Sequence, residues 1–131
     1  MSNKDQYQLD GEVIMFPKDI SDSLYIQVSE IIGNDGITQS NIIMLLLNTM
    51  QLIEGYDNIV GIQKKALALK ILNSITDDKV KNKQDNAAIK ILIQMTLPSV
   101  IDTLVSVDNG ELGIKLKQCC VNLFCSGKTK N

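Results

Sequence analysis

Apolar residues recur at helical spacing in several stretches of this chain, and one stretch is apolar on almost every side. Ile42–Ile53 reads IIMLLLNTMQLI, with six apolar residues in succession from Ile42 to Leu47. Twelve residues is long for a strand and ordinary for a helix. On a helix, Ile42, Leu46, Met50 and Ile53 share one face, Leu45, Thr49 and Leu52 the next, and Ile43 and Leu47 a third. Thr38 or Ser40 fits the N-cap and Gly55 the residue after the C-cap. A bilayer span needs roughly 20 mostly apolar residues, and Asn48, Thr49 and Gln51 interrupt this run. The pattern predicts a buried helix over about 39–54 at the centre of the fold.

The other elements show a polar side. Ile20, Leu24, Val28 and Ile31 form a stripe over 18–32, with Pro17 suited to the first helical position and Gly33-Asn34-Asp35-Gly36 as the stop. A third helix runs from 59 or 61 to 75, with Leu67, Ala68, Ile71, Leu72 and Ile75 inward. Thr76–Asp85 holds three lysines and three aspartates around one apolar residue, Val80, and reads as a solvated linker. A fourth helix starts near Asp85 or Asn86 and carries Ala88, Ile91, Leu92 and Met95 inward. Pro98 either kinks it or begins a new helix through Ile101, Leu104 and Val105 to about Val107, because proline removes the bond to the Gln94 carbonyl. Asp108-Asn109-Gly110 then turns the chain.

At the N-terminal end, Asp10-Gly11 lies between Tyr7-Gln8-Leu9 and Val13-Ile14-Met15-Phe16, the arrangement of a two-residue hairpin turn. The left half is short, which favours an extended arm pinned to the bundle by Val13, Met15 or Phe16. The predicted class is therefore all-α: a single domain of four to five helices around the central apolar helix, with residues 1–16 as an arm, 17–107 as the bundle and 108–131 as a cysteine-containing tail.

Composition narrows the chemistry. The 131 residues carry a net charge of −2, and all 13 basic residues are lysine. Without arginine, bidentate reading of guanine and phosphate is lost, so specific nucleic-acid binding is not expected. There is no histidine, which excludes a Cys–His dyad and a Ser–His–Asp triad. The carboxylate pair Asp77-Asp78 falls in the polar linker, and Asp102 reads as an outer-face charge. Gly110-Glu111-Leu112-Gly113 and Gly127-Lys128-Thr129 lack phosphate-loop spacing. No zinc-finger, EF-hand or dinucleotide pattern occurs, so neither a metal nor a cofactor is expected, and the chain is read as no enzyme. Lys64-Lys65 oppose a helix dipole at a cost of only ~0.3–1 kcal/mol; a surface turn is expected there, with contact to an acidic partner as the functional alternative. Met1–Asp10 has no signal-like basic and apolar succession, so an intracellular, non-secreted setting is expected.

The tail KLKQCCVNLFC gathers Lys115, Lys117, Cys119, Cys120, Phe124 and Cys125. Three readings stay open. The cysteines pack as small apolar residues in a docked helix. They are acylated and hold the chain on a membrane surface. Or they bind metal, for which adjacent ligands are awkward.

The Gly61/Lys64-Lys65 helix start, the Pro98–Asp102 segment and the Cys119-Cys120 tail together resemble small helical proteins encoded by nucleocytoplasmic large DNA viruses. The likeness spans about residues 42–125 and implies a viral, virion-associated protein in host cytoplasm or virion; it transfers no functional residue. The Ile-, Asn- and Lys-rich composition fits an A/T-biased genome. The expected function is a non-enzymatic protein–protein interaction or structural role. Its partner is another copy or another protein, met through Leu45, Leu47 and Leu52 if no other helix covers them. The alternative is a peripheral membrane protein held by its acylated tail.

Overall fold

The computed structural model describes residues 4–108. The predicted tail, with Cys119, Cys120, Phe124 and Cys125, lies outside them. Within them the chain is mostly helical but not all-α, because it opens with a two-stranded antiparallel sheet. Strand β1 is Lys4–Leu9 and β2 is Glu12–Pro17, paired from Lys4↔Pro17 to Leu9↔Glu12. The expected arm is thus a hairpin. Its turn residues Asp10 and Gly11 both take positive φ, 53° and 83°, the mirror-image turn whose twist matches that of the strands. The alternation is complete once Asp5 is counted inward: Asp5, Tyr7, Leu9, Ile14 and Phe16 turn toward the helices, while Gln6, Gln8, Val13 and Met15 are exposed.

Pro17 closes β2 with φ −62° and ψ 131°, so it precedes the first helix instead of sitting inside it. Helix α1 is Lys18–Ile32 and buries Ile20, Leu24, Val28 and Ile32. Gly33 ends it at φ 54°, donating its N–H to Ser29. Helix α2 is Ile42–Ile53. It starts three residues later than expected from 39, because Thr38 and Asn41 close on each other first. The Thr38 N–H donates to Asn41 Oδ1 at 2.8 Å, and the Asn41 N–H to Thr38 Oγ1 at 3.1 Å.

Helix α3 runs Gly61–Lys79. The predicted linker over 76–85 is therefore corrected: its first four residues are the last turn of α3, and only Val80–Asn82 connects to helix α4, Lys83–Ile91. The charged residues there were not signs of loop, since Asn82 caps α4 by accepting from the Asp85 N–H at 3.0 Å. The Asn86 amide donates back to the carbonyls of Thr76 and Val80, which satisfies open acceptors at the end of α3.

Pro98 neither breaks nor ends the helical run. A π-helical turn, Leu92–Thr96, joins α4 to helix α5, Leu97–Asp108. Its wider turn accommodates a residue that has no N–H to give and whose ring crowds the carbonyl of Gln94. It also repairs the phase of the buried side. Ile89, Ile93, Leu97 and Ile101 are all buried. Residues four apart drift roughly 40° per step on a regular helix, which would fan this series by about 120°. The extra residue of the π turn rotates the later members back onto the core.

The centre of the bundle is α3, not α2. Helix α3 packs on both strands, on α1, α2, α4, α5 and the π turn, whereas α2 packs chiefly on α1 and α3. Four successive residues of α3, Ala66 to Leu69, are buried, as are Ile71, Leu72 and Ile75. Helix α2 is more apolar along its length, yet Ile43 and Met44 stay exposed. Buried Thr49 and Thr76 return their hydroxyls to the carbonyls of Leu45 and Leu72 at 2.7 Å, so neither leaves an unpaired donor in the core. In urea unfolding followed by circular dichroism, Leu72→Ala is expected to cost ~2–5 kcal/mol, as cavity formation in a close-packed core does. Met44→Ala should stay within ~0.5 kcal/mol; equal losses would restore α2 as the centre.

Candidate functional site

The polar residues of α3 reach out to its neighbours one at a time. Lys70 Nζ donates to Asp5 Oδ2 of β1 at 2.7 Å. Gln63 donates its side-chain amide to the Met15 carbonyl of β2 at 2.9 Å, while its Oε1 accepts from the Val60 N–H. Lys64 lies 3.3 Å from Glu54 just after α2. Lys65 lies 2.8 Å from Asp102 of α5. Asp77 pairs with Lys90 of α4 at 2.8 Å. Asp78 accepts from the Tyr25 hydroxyl of α1. The lysine pair at the start of α3 thus has its acidic contacts inside this chain, and Asp77 and Asp78 serve neighbouring helices.

The densest of these clusters is under the hairpin. Asp5 accepts from Lys70 Nζ, from Ser21 Oγ at 2.9 Å and from the Gln6 N–H at 2.9 Å. Burial pushes its carboxyl upward, but the hydrogen bonds from Lys70, Gln6 and Ser21 outweigh that and hold it below the usual carboxylate range. A carboxylate held ionised by three donors is a weak base, and its chemistry is that of a fastener. Among the described residues, no cluster of three or more Cys, Asp or Glu side chains is placed to hold a metal. A cleft of about 170 Å³ lies between the 37–39 loop and α4, lined by Ile37, Thr38, Gln39, Asp85 and Ile89. It is below the roughly 300–1,000 Å³ of small-molecule sites.

The α2 residues that would form an interface if no other helix covered them are covered by the chain itself. Leu45 and Leu47 are each 6% exposed within the core, and Leu52 is partly buried against it. Apolar exposure is found instead on the run from α4 to α5. Ile91 is 59% exposed, Met95 74% and Val105 39%, with Leu92, Val100 and Leu104 partly buried beside them. Polar Gln94, Thr96, Ser99, Asp102 and Thr103 are interleaved on the same side. Lys83–Val105 is long and apolar enough to cross a membrane by length and composition alone, yet only 22% of its most apolar window is buried. Its inward line of Ile89, Ile93, Leu97 and Ile101 is packed in the core. Four i+4 positions thus supply the buried side, and the expected inward residues Ile91 and Met95 point out. The sequence offered two apolar faces for one helix, and a straight-helix count picked the wrong one.

Comparisons with models of protein families, with curated proteins and with solved structures gave no match to this chain.

Two outcomes test the fastening role of the polar residues. The pKa of Asp5 is lower in the fold than the ordinary value of 3.8, so its stabilisation is fully present above that value and fades as pH falls below it. Asp5→Asn is expected to cost about 1–3 kcal/mol at pH 7, the scale of hydrogen bonds to a charge. The gap between the urea midpoints of the two proteins should narrow as pH falls below 3.8, and a gap independent of pH would assign the loss to packing. For α5, Lys65→Glu should destabilise and the exchanged pair Lys65→Glu/Asp102→Lys should recover part of the loss, a coupling of about 0.5–1 kcal/mol in a double-mutant cycle.

Proposed function

We propose that this chain is a non-enzymatic protein–protein interaction module, a structural or adaptor protein that meets its partner through the outer face of α4–α5. The observation that carries this is the exposure of Ile91, Met95 and Val105 on a helix whose opposite line is already packed. A helix that is apolar around most of its circumference is normally enclosed, and apolar residues rimmed by Gln94, Ser99 and Asp102 have the make-up of an interface core with a polar rim. The partner is another copy of the chain or a second protein. The resemblance over residues 42–125 supports a viral, intracellular or virion-associated setting.

One observation favours a second reading. The same run has the length and composition of a membrane span, and a tail with Cys119, Cys120 and Cys125 follows it. Acylation of those cysteines would bring the exposed apolar face to a membrane surface, where two attachment signals suffice for stable binding. Unmodified cysteines in intact-mass spectra of native material would remove this reading.

The interaction reading is tested with a benzophenone side chain at position 95 of the full chain, irradiated in the native cellular setting. The expected product is a discrete adduct to a second polypeptide, absent when the probe stands at Lys81, and about tenfold weaker with Ile91→Glu, the equivalent of about 1.4 kcal/mol. Crosslinks confined to the same chain, or equal adducts at both positions, overturn it.

A further inference from the structure

The exposed side of α4–α5 carries an order of residues that reads the same from both ends. Lys83, Ala87, Ile91, Met95, Ser99 and Thr103 follow one another at intervals of four, and all six are exposed. The last four each stand two residues after a member of the buried line Ile89, Ile93, Leu97 and Ile101, about 200° round the helix. The π turn that keeps the buried line on the core therefore keeps the outer line straight as well. In size and polarity the outer line runs polar, small, large, large, small, polar.

We infer that a second copy of the chain covers this face, its α4–α5 run lying antiparallel about a two-fold axis at the level of Ile93. The inference rests on reading the face as an interface, and it names the occupant. A two-fold contact sets residue i of one copy against residue j of the other, and j against i. An order that mirrors itself about its centre satisfies that condition, whereas a contact between unlike surfaces has no use for it. With the axis at Ile93, Ile91 meets the partner's Met95, Ala87 the partner's Ser99 and Lys83 the partner's Thr103, and each pair occurs twice.

The pairs are chemically matched. The large side chains fall at the centre, where an interface is driest, and methionine fills the irregular gaps beside a branched isoleucine. Ala87 and Ser99 flank them and let the two backbones approach, since the side chains at a crossing set the distance between axes. The ends are polar and complementary. Lys83 enters no ion pair among the described residues. Asp102, beside Thr103, bonds Lys65 through Oδ1 and keeps its side chain 65% exposed, so the partner's Lys83 reaches it from the solvent side. Thr103 already donates its hydroxyl to the Ser99 carbonyl at 3.0 Å, which leaves no orphan donor when that end is covered. From Lys83 to Thr103 the paired stretch is about 30 Å long.

Exchanging charge across the axis tests both the occupant and the register. The full-length protein, with reductant present so that no disulfide links copies, should sediment at equilibrium as a dimer. Ile91→Lys and Met95→Glu should each weaken self-association by roughly tenfold or more, because each introduced charge is desolvated at two symmetric positions. Both positions are exposed in the single chain, so the circular dichroism of each variant should match the wild type. An equimolar mixture of the two should recover about tenfold, since the new charges then face each other and the second Ile91–Met95 pair stays native. A wild-type chain that remains monomeric up to about 1 mM overturns the inference. So does a dimer indifferent to both substitutions, or a mixture no tighter than either variant alone. The benzophenone at position 95 separates this failure from that of the interface reading. An adduct of twice the chain mass supports the second copy. An adduct to a different polypeptide, with the purified chain monomeric, overturns the second copy and leaves the interface. A monomer with no trans adduct overturns both. Binding of the monomer to phosphatidylserine vesicles, lost in Met95→Glu, overturns the inference by giving the face to a membrane.

Discussion

The fold depends on enclosing α3. Four consecutive buried residues, Ala66–Leu69, leave this helix without a water-facing side through its middle turns. An element of that kind is stable only when neighbours cover it on every side. Ala66 and Ala68 add little bulk, so the neighbouring backbones can approach closely, and Leu67, Leu69, Ile71, Leu72 and Ile75 fill the space between them. The hairpin covers one side, α1 and α2 another, and the α4–α5 run a third. The π turn belongs to the same constraint, because only a re-phased helix can keep Ile89, Ile93, Leu97 and Ile101 on α3 along its whole length.

Polar contacts then assign each neighbour its place. Hydrophobic burial is non-directional, so apolar faces alone would allow the surrounding elements to slide or rotate. Gln63, Lys64, Lys65, Lys70, Asp77 and Asp78 each reach a different element: β2, the end of α2, α5, β1, α4 and α1. Exposed pairs of this type contribute little energy, roughly 0–1 kcal/mol. Their value is geometric, since each is satisfied at one docking register and lost at others. The Asp5 cluster is the strongest of them, and it ties the hairpin to α1 and α3 together through Ser21 and Lys70.

One helix departs from this economy of covered faces. The α4–α5 run carries apolar residues enough for two contacts, and α3 uses only one. The surplus at Ile91, Met95 and Val105 gives the molecule its candidate interface. The polar residues interleaved on that side keep it compatible with water when uncovered.

By itself the sequence determined that most of the chain is helical, roughly where the helices lie, and most of the core, because 3.6-residue periodicity, Gly33 and the apolar stripes act locally. It also determined that histidine-dependent catalysis is unavailable, a matter of composition alone. The hairpin was half legible: Asp10-Gly11 announced the turn, but Asp5 looked like an outward polar residue until Lys70 and Ser21, distant in sequence, gave it partners inside. The same holds for Thr76–Lys79, whose charges read as loop although Lys90, Tyr25 and Asn86 hold them in helix. Hydrophobicity misplaced the centre, since α2 is the more apolar helix and α3 the more enclosed one. It misjudged the facing of α4–α5 too, turning Ile91 and Met95 inward where they are exposed. Those decisions belong to tertiary structure. Enclosure depends on how many neighbours a helix has, and the facing of α4–α5 depends on a π turn that no pairwise spacing along the chain reveals.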